Sequence, residues 1–212
     1  MGEAISSVST SSRLTWASPN DASRHELEAA IYTGFAHAFG ADLHEFYPLL
    51  SQLSYRRSRC FLGVRLAANA PLFVEQYLQQ PLELHLGKQV KRSEIAELGN
   101  LYSTGRMATL GHFIILTEAL LQHSIHHLVF TATQQVRSLL SLCQVEAQII
   151  SNANGNIASA KDYGSYYQCV PKVCVVNLRH AQQVIQSTAL YKHALHDLSP
   201  EAVNLKEALN YA

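Results

Sequence analysis

The sequence predicts a single α/β domain with a mixed central sheet of about six or seven strands flanked by helices. Three observations carry this reading. From residue 94 onward strand-like and helix-like segments alternate, the order that gives right-handed crossovers and a largely parallel stretch of sheet. Ahead of that point strand-like segments stand close together, as an antiparallel hairpin or meander requires. The 212 residues suffice for one buried core, and no internal repeat or linker divides them.

Residues 1–12, rich in Ser and Thr, read as a flexible tail ahead of a domain over residues 13–212. The tail lacks the basic-then-apolar order of a secretory signal. Its start, Met1-Gly2-Glu3-Ala4-Ile5-Ser6, fits the myristoylation pattern, a match short enough to arise by chance. Leu14-Thr15-Trp16 reads as a first strand and Ser18-Pro19-Asn20-Asp21 as a turn. Ser23 and Glu26 stand at capping-box spacing before Leu27, Ala30, Ile31, Gly34, Phe35, Ala38 and Phe39, whose period is helical, and Gly40 stops the helix. Arg59 to Leu66 is one strand of a hairpin or meander. Asn69-Ala70-Pro71-Leu72 resets the chain, and Leu72 to Leu78 is a short helix ended before Pro81. Glu94 to Leu101 alternates as a strand, with Gly99 marking a bulge or a close approach of the backbone.

After the loop Ser103-Thr104-Gly105-Arg106, the residues from Thr109 to Gln122 are apolar nearly all round, as in a buried helix. Leu128-Val129-Phe130 is a short buried strand, and Val136, Leu139, Leu140 and Cys143 give the next helix its apolar stripe. Strands around Ala147 to Ile150 and Val173 to Leu178 flank the polar turn Asn152-Ala153-Asn154-Gly155-Asn156. Two helices, near Ala181 to Leu190 and Pro200 to Leu209, complete the chain.

Lys plus Arg equals Asp plus Glu at 16 each, so no global field draws the chain to nucleic acid or to an anionic membrane. Apolar runs such as Phe113 to Leu116 and Leu128 to Phe130 end far short of the roughly 20 residues a membrane helix needs, so no transmembrane segment is expected. Cys60, Cys143, Cys169 and Cys174 lack the paired spacing of metal sites and read as reduced thiols of a cytoplasmic protein. The histidine pairs His123 with His126 and His193 with His196 have no third ligand nearby, so no metal site is expected. Ser165 has no obvious His and acid partners for a hydrolase triad.

Four short segments carry a resemblance: Glu75-Gln76-Tyr77-Leu78, Glu97-Leu98-Gly99-Asn100-Leu101, Phe130-Thr131-Ala132-Thr133 and Tyr163-Gly164-Ser165-Tyr166-Tyr167. In this order they resemble the pattern of the thermostable haemolysin family, and the element order resembles the GNAT fold. The chain departs from that pattern at Leu98, where Val is commoner, at Tyr163, where Trp is, and at Gln168, where Glu is expected. A carboxylate role at that last position is absent here. The resemblance implies a GNAT-like acyltransferase domain, distantly like the acyl-homoserine lactone synthases, which move an acyl chain from a carrier to an amine.

In GNAT-like proteins the strand after the hairpin splays from its neighbour and offers backbone groups to the pantetheine arm of an acyl donor. The resemblance therefore implies that Leu98, Gly99, Asn100 and Leu101 meet the donor, with an amide of Gly99, Asn100 or Leu101 polarising the thioester carbonyl. A bulge that only shapes the sheet is the alternative. Glu97 is the candidate general base, because a carboxylate shielded by sheet has its pKa raised toward neutrality; a structural pair with Arg65 is the alternative. Ser103, Thr104, Gly105 and Arg106 lead into a helix whose free amides suit a phosphate. That loop lacks the full Gly-rich pyrophosphate pattern, so phosphopantetheine on a carrier protein suits it at least as well as coenzyme A.

Arg56, Arg57 and Arg59 place three cations in four positions, fit for an acidic acyl-carrier protein or a donor phosphate, or simply for solvent. Thr131 and Thr133 end a strand at the carboxyl edge where α/β sheets bind ligands, and are candidates for the acceptor. Tyr163, Tyr166 and Tyr167 supply an aromatic wall and, in Tyr167, a candidate general acid, or else only close the core. The chain thus reads as an acyltransferase that moves an acyl group from acyl-coenzyme A or an acyl-carrier thioester, a co-substrate rather than a bound cofactor, to a small amine or amino acid. Two readings stand beside it: a protein acting on membranes directly or indirectly, as the family name suggests, and a non-catalytic acyl-binding module.

Overall fold

The computed structural model describes residues 12–87 and 89–212, so the expected tail, Ser12 apart, and its myristoylation pattern lie outside the described residues. Among the described residues seven strands form one mixed sheet: β1 (Arg13–Ala17), β2 (Leu49–Tyr55), β3 (Ser58–Leu66), β4 (Ile95–Ser103), β5 (His127–Ala132), β6 (Gln148–Asn152) and β7 (Lys172–Asn177). Their order is β1-β2-β3-β4-β5-β7-β6. The first four make an antiparallel meander, as expected. The second half differs from expectation, because only β4 and β5 run parallel. β7 returns antiparallel to β6 and inserts between β6 and β5, and because β6 runs in the direction of β5, β7 is antiparallel to β5 as well.

The helices are α1 (Arg24–Phe39), α2 (Leu82–Leu86), α3 (Arg106–Gln122), α4 (Gln134–Leu142), α5 (Leu178–Ser187), α6 (Ala189–Asp197) and α7 (Ser199–Ala208). Gly40 stops α1 in the left-handed conformation, its N–H bonded to Ala36 O. The expected capping box is not formed, since Ser23 is itself helical and makes no side-chain bond to the helix. The last stretch holds three helices rather than two, because the chain breaks at Thr188 and again at Leu198 before Pro200 opens α7. One face of the sheet packs on α3 and α7 through residues such as Leu53 and Leu62. The other face turns Leu50 and Phe61 toward Leu27 and Ile31 of α1.

Strand β2 escaped the sequence reading because its third residue, Ser51, is polar yet wholly buried. Its hydroxyl is satisfied by His112, a buried residue of α3. His112 Nδ1–H donates to Cys60 O at 3.0 Å, which leaves Nε2 to accept from Ser51 Oγ at 3.0 Å. Burial pushes the His112 imidazole down to about 3, so it stays neutral and fixes β2 and β3 to α3.

The loop before β2 carries Tyr47, which packs on two glycines paired across β3 and β4, its Cβ against Gly63 and its ring against Gly99. A Cβ on Gly99 would overlap that ring, and one on Gly63 would approach Tyr47 Cβ to 2.8 Å. Gly99 is thus required by a side chain of the protein, a packing reason that stands beside the expected access of a ligand to its backbone. The bulge falls one residue later. Asn100 takes a positive φ of 51°, and the register with β3 shifts between Phe61 and Gly63. From there Asn100 Oδ1 accepts Tyr47 N–H at 2.9 Å, and its amide nitrogen donates to Glu45 O at 3.1 Å. We predict that Gly99→Val costs roughly 1–3 kcal/mol by overpacking, and that most of this cost disappears in a Tyr47→Ala background. Urea denaturation of the four proteins of this cycle tests it; additive costs would show that the ring and the glycine are unconnected.

Candidate functional site

β4 and β5 pair only from Ile95↔His127 to Leu98↔Phe130. Beyond that rung β4 runs on to Ser103 without β5 beside it, and the parting opens into a cleft of about 780 Å³. Its floor is the β4 edge from Leu98 to Ser103. One wall is α4 with the end of β5, and the other is α1 with the aromatic segment around Tyr163. The residues singled out from sequence converge here: Leu98, Gly99, Asn100, Leu101, Ser103, Thr104, Gly105, Arg106, Thr131, Thr133, Tyr163, Tyr166 and Tyr167 all line the cleft. Glu97 does not. It lies beneath the floor, 1% exposed.

Glu97 accepts the backbone N–H groups of Phe73 and Val74 at 2.7 and 2.8 Å, the first residues of a 3-10 turn over Phe73–Tyr77. The Tyr47 phenol lies beside the same carboxylate, close enough to favour its charged form, and Tyr47 itself lines the cleft. Burial drives the Glu97 carboxyl up to about 7, against the lowering effect of the two backbone donors, of the phenol and of Arg65. The expected alternative, an ion pair with Arg65, is not formed. Arg65 faces Glu97 across the ladder, but its guanidinium bonds Glu45 at 3.0 Å and stands 4.6 Å from the centroid of the Tyr47 ring. Glu97 therefore reaches the cleft through one phenol.

At the far end, the Ser103–Gly105 loop is tied to the start of β3. Ser103 Oγ donates to Arg59 O at 3.1 Å and accepts from Thr109 Oγ1 at 2.7 Å, while Thr104 Oγ1 accepts Arg59 N–H at 2.9 Å. Both hydroxyls are engaged, so any phosphate contact here falls to backbone amides and to Arg106. α3 starts at Arg106 with no side-chain cap on its first turn. The Ala108 N–H is already bonded to Ser58 Oγ at 3.2 Å. Arg56 and Arg57 hold the β2–β3 turn in positive-φ conformations, 46° and 66°, and Arg59 lies with them near this end of the cleft.

The other end is aromatic. Tyr163, Tyr166 and Tyr167 lie 5.4–6.1 Å apart by ring centroid, and Phe73 and Tyr77 extend the cluster. Tyr167 and Tyr77 share a hydroxyl bond of 2.7 Å, and Tyr166 donates to Thr131 Oγ1 at 3.0 Å. Burial raises all of these phenols, that of Tyr166 to about 12, so each is a neutral hydroxyl near neutral pH. Ser165 Oγ donates to Phe39 O at 3.0 Å, tying the segment to the end of α1. Tyr47, Phe73 and Tyr77 belong to the site and were not assigned to it from sequence. Tyr77 stood in a recognised segment without a role; Tyr47 follows Glu45-Phe46 in a loop with no periodicity to mark it.

The chain matches the model of the thermostable hemolysin family over residues 17–182. No curated protein matches it. Among solved structures, FeeM, an N-acyl amino acid synthase from uncultured soil microbes, is 13% identical with a TM-score of 0.51, covering 86% of this chain and 99% of its own. TofI in an apo form is 11% identical with a TM-score of 0.51, covering 78% and 91%. The AHL synthase LasI is 14% identical with a TM-score of 0.48, covering 79% and 90%. The fold is that of GNAT-like acyltransferases.

The folded chain keeps a proton on Glu97 between its ordinary value of 4.5 and about 7, where the unfolded chain has released it. This group's contribution to stability is therefore full below about pH 4.5 and is lost as pH rises through about 7, by up to about 1.4 kcal/mol per pH unit. His112 has the opposite sign, costing stability as pH falls from 6.5 toward 3. Subtracting the wild-type curve from that of Glu97→Gln cancels His112. The variant is expected to gain on the order of 3 kcal/mol relative to wild type between pH 4.5 and about 7, measured by urea denaturation. A flat difference means a carboxyl whose pKa is unshifted by folding, which would remove the raised proton affinity given to Glu97 here.

Proposed function

We propose that this chain, which belongs to the thermostable hemolysin family, is a cytoplasmic acyltransferase that carries an acyl group from a thioester donor to the nitrogen of a small amine or amino acid. The observation that carries this reading is the parting of β4 from β5, which leaves the β4 edge unpaired along a cleft floor. A pantetheine arm has amide groups that suit such an edge, and it fills the place of a missing strand. The likeness in fold to FeeM, an N-acyl amino acid synthase, agrees with it. The donor's phosphate then lies at the start of α3 with Arg106, on coenzyme A or on a carrier protein received by Arg56, Arg57 and Arg59.

In the reaction the amine lone pair attacks the thioester carbonyl, and a backbone amide near Gly99 to Leu101 bonds the oxygen as it becomes anionic. The amine passes a proton to the Tyr47 oxygen while the Tyr47 proton moves to Glu97. The carbon–nitrogen bond forms, the carbon–sulfur bond breaks, and the departing thiolate takes up a proton, with the Tyr167 hydroxyl a candidate source. Thr131 and Thr133 border the acceptor. Arg65, over the Tyr47 ring, stabilises charge that develops on the phenol during the relay.

Native mass spectrometry with acyl-coenzyme A and acyl-carrier protein is expected to show a bound donor. Glu97→Gln and Tyr47→Phe are each expected to lower turnover by roughly 10²- to 10⁴-fold with donor affinity nearly unchanged, and the loss should shrink at high pH, where the amine is already neutral. Absence of any bound donor would remove the acyl-transfer reading. Full turnover in both variants would remove the relay.

A further inference from the structure

The two ends of the cleft differ in charge. Among the described residues Arg106 is the only charged residue in the lining, and it stands at the α3 end, past Ser103, which is itself roughly 13 Å along the strand from Gly99. The opposite end is made of Phe73, Tyr77, Tyr163, Tyr166 and Tyr167, rings in continuous contact, with Tyr47 also in the lining. Behind it Glu97 is buried, and Glu45 is held in an ion pair with Arg65. The cation at this end, Arg65, is already engaged by Glu45 and by the face of Tyr47.

A ligand group arriving here meets ring faces and hydroxyl oxygens. An ammonium is attracted by both, since a cation within about 6 Å of an aromatic face is favoured by the ring quadrupole. A carboxylate finds no free cation, and would be left as an unpaired charge among the rings. Resting on the acyl-transfer reading for the role of this cage, we infer that the acceptor is a cationic amine with an apolar body and no carboxylate. Amines, and not amino acids, are then the substrates acylated. The ammonium docks against the tyrosine faces and gives up its proton where Tyr47 meets Glu97.

Three probes of one shape isolate the carboxylate: 2-phenylethylamine, L-phenylalaninamide and L-phenylalanine. Titration calorimetry of the intact protein, with and without coenzyme A, is expected to give the first two dissociation constants at least tenfold below that of L-phenylalanine. Tyr163→Leu, which removes the ring and keeps an apolar side chain, is expected to weaken 2-phenylethylamine by roughly threefold to thirtyfold, and Tyr163→Phe, which keeps the ring, by less than threefold. L-phenylalanine binding as tightly as the amines, or none of the three binding, overturns the inference. The wild-type comparison decides even where a variant fails to fold. Selective amine binding without any donor binding would count against acyl transfer and leave the cage standing; donor binding with a preference for the amino acid would do the reverse.

Discussion

Two backbone N–H groups end on one buried carboxylate, and the shape of the cleft depends on them. Phe73 and Val74 begin a 3-10 turn whose first amides have no partner within the turn, and Glu97 supplies it from the middle of the sheet. That bond pair holds Phe73 and Tyr77 against Tyr163 and Tyr167 and so builds one end of the site. An anion at a helical N-terminus is ordinary electrostatics. What distinguishes this one is that its solvation has been stripped away and no cation closes on it. Its proton affinity consequently rises to near neutrality, where a proton can be both taken and released.

The second constraint is steric. Tyr47 lies beside Glu97 because two residues without side chains make room for it, Gly63 under its Cβ and Gly99 under its ring, with Arg65 over the ring. The Asn100 bulge clamps the loop that carries it, so the conformational cost of a positive φ at a non-glycine residue is offset by two side-chain bonds. A strand, a bulge and a loop thus place one hydroxyl between an enclosed carboxylate and an open cleft.

The sequence disclosed the fold class through periodicity, and disclosed the site where strand ends and loops carry distinctive residues. Glu97 to Leu101, Ser103 to Arg106, Thr131, Thr133 and the tyrosines of Tyr163 to Tyr167 were legible for that reason. Three things were hidden. Strand β2 was masked by Ser51, whose burial depends on a histidine sixty-one positions away. The direction of β7 depends on which gap in the sheet is vacant, which no local pattern records. Tyr47 owes its place to contacts with glycines on two other strands, so its own neighbours in the chain say nothing of it. The close approach marked by Gly99 was legible but its partner, the Tyr47 ring, was not, since an absent side chain does not say which group fills the space.

The parting of β4 from β5 has a mechanical meaning as well as a chemical one. Four rungs join the antiparallel half, β1 to β4, to the half formed by β5, β7 and β6. The sheet behaves as two plates meeting at a short seam, open like a book above it. A ligand that hydrogen-bonds along the free β4 edge and packs on α4 completes the seam from outside the polypeptide. The stiffness of the two plates would then be partly borrowed, gained while such a ligand is held and surrendered when it leaves.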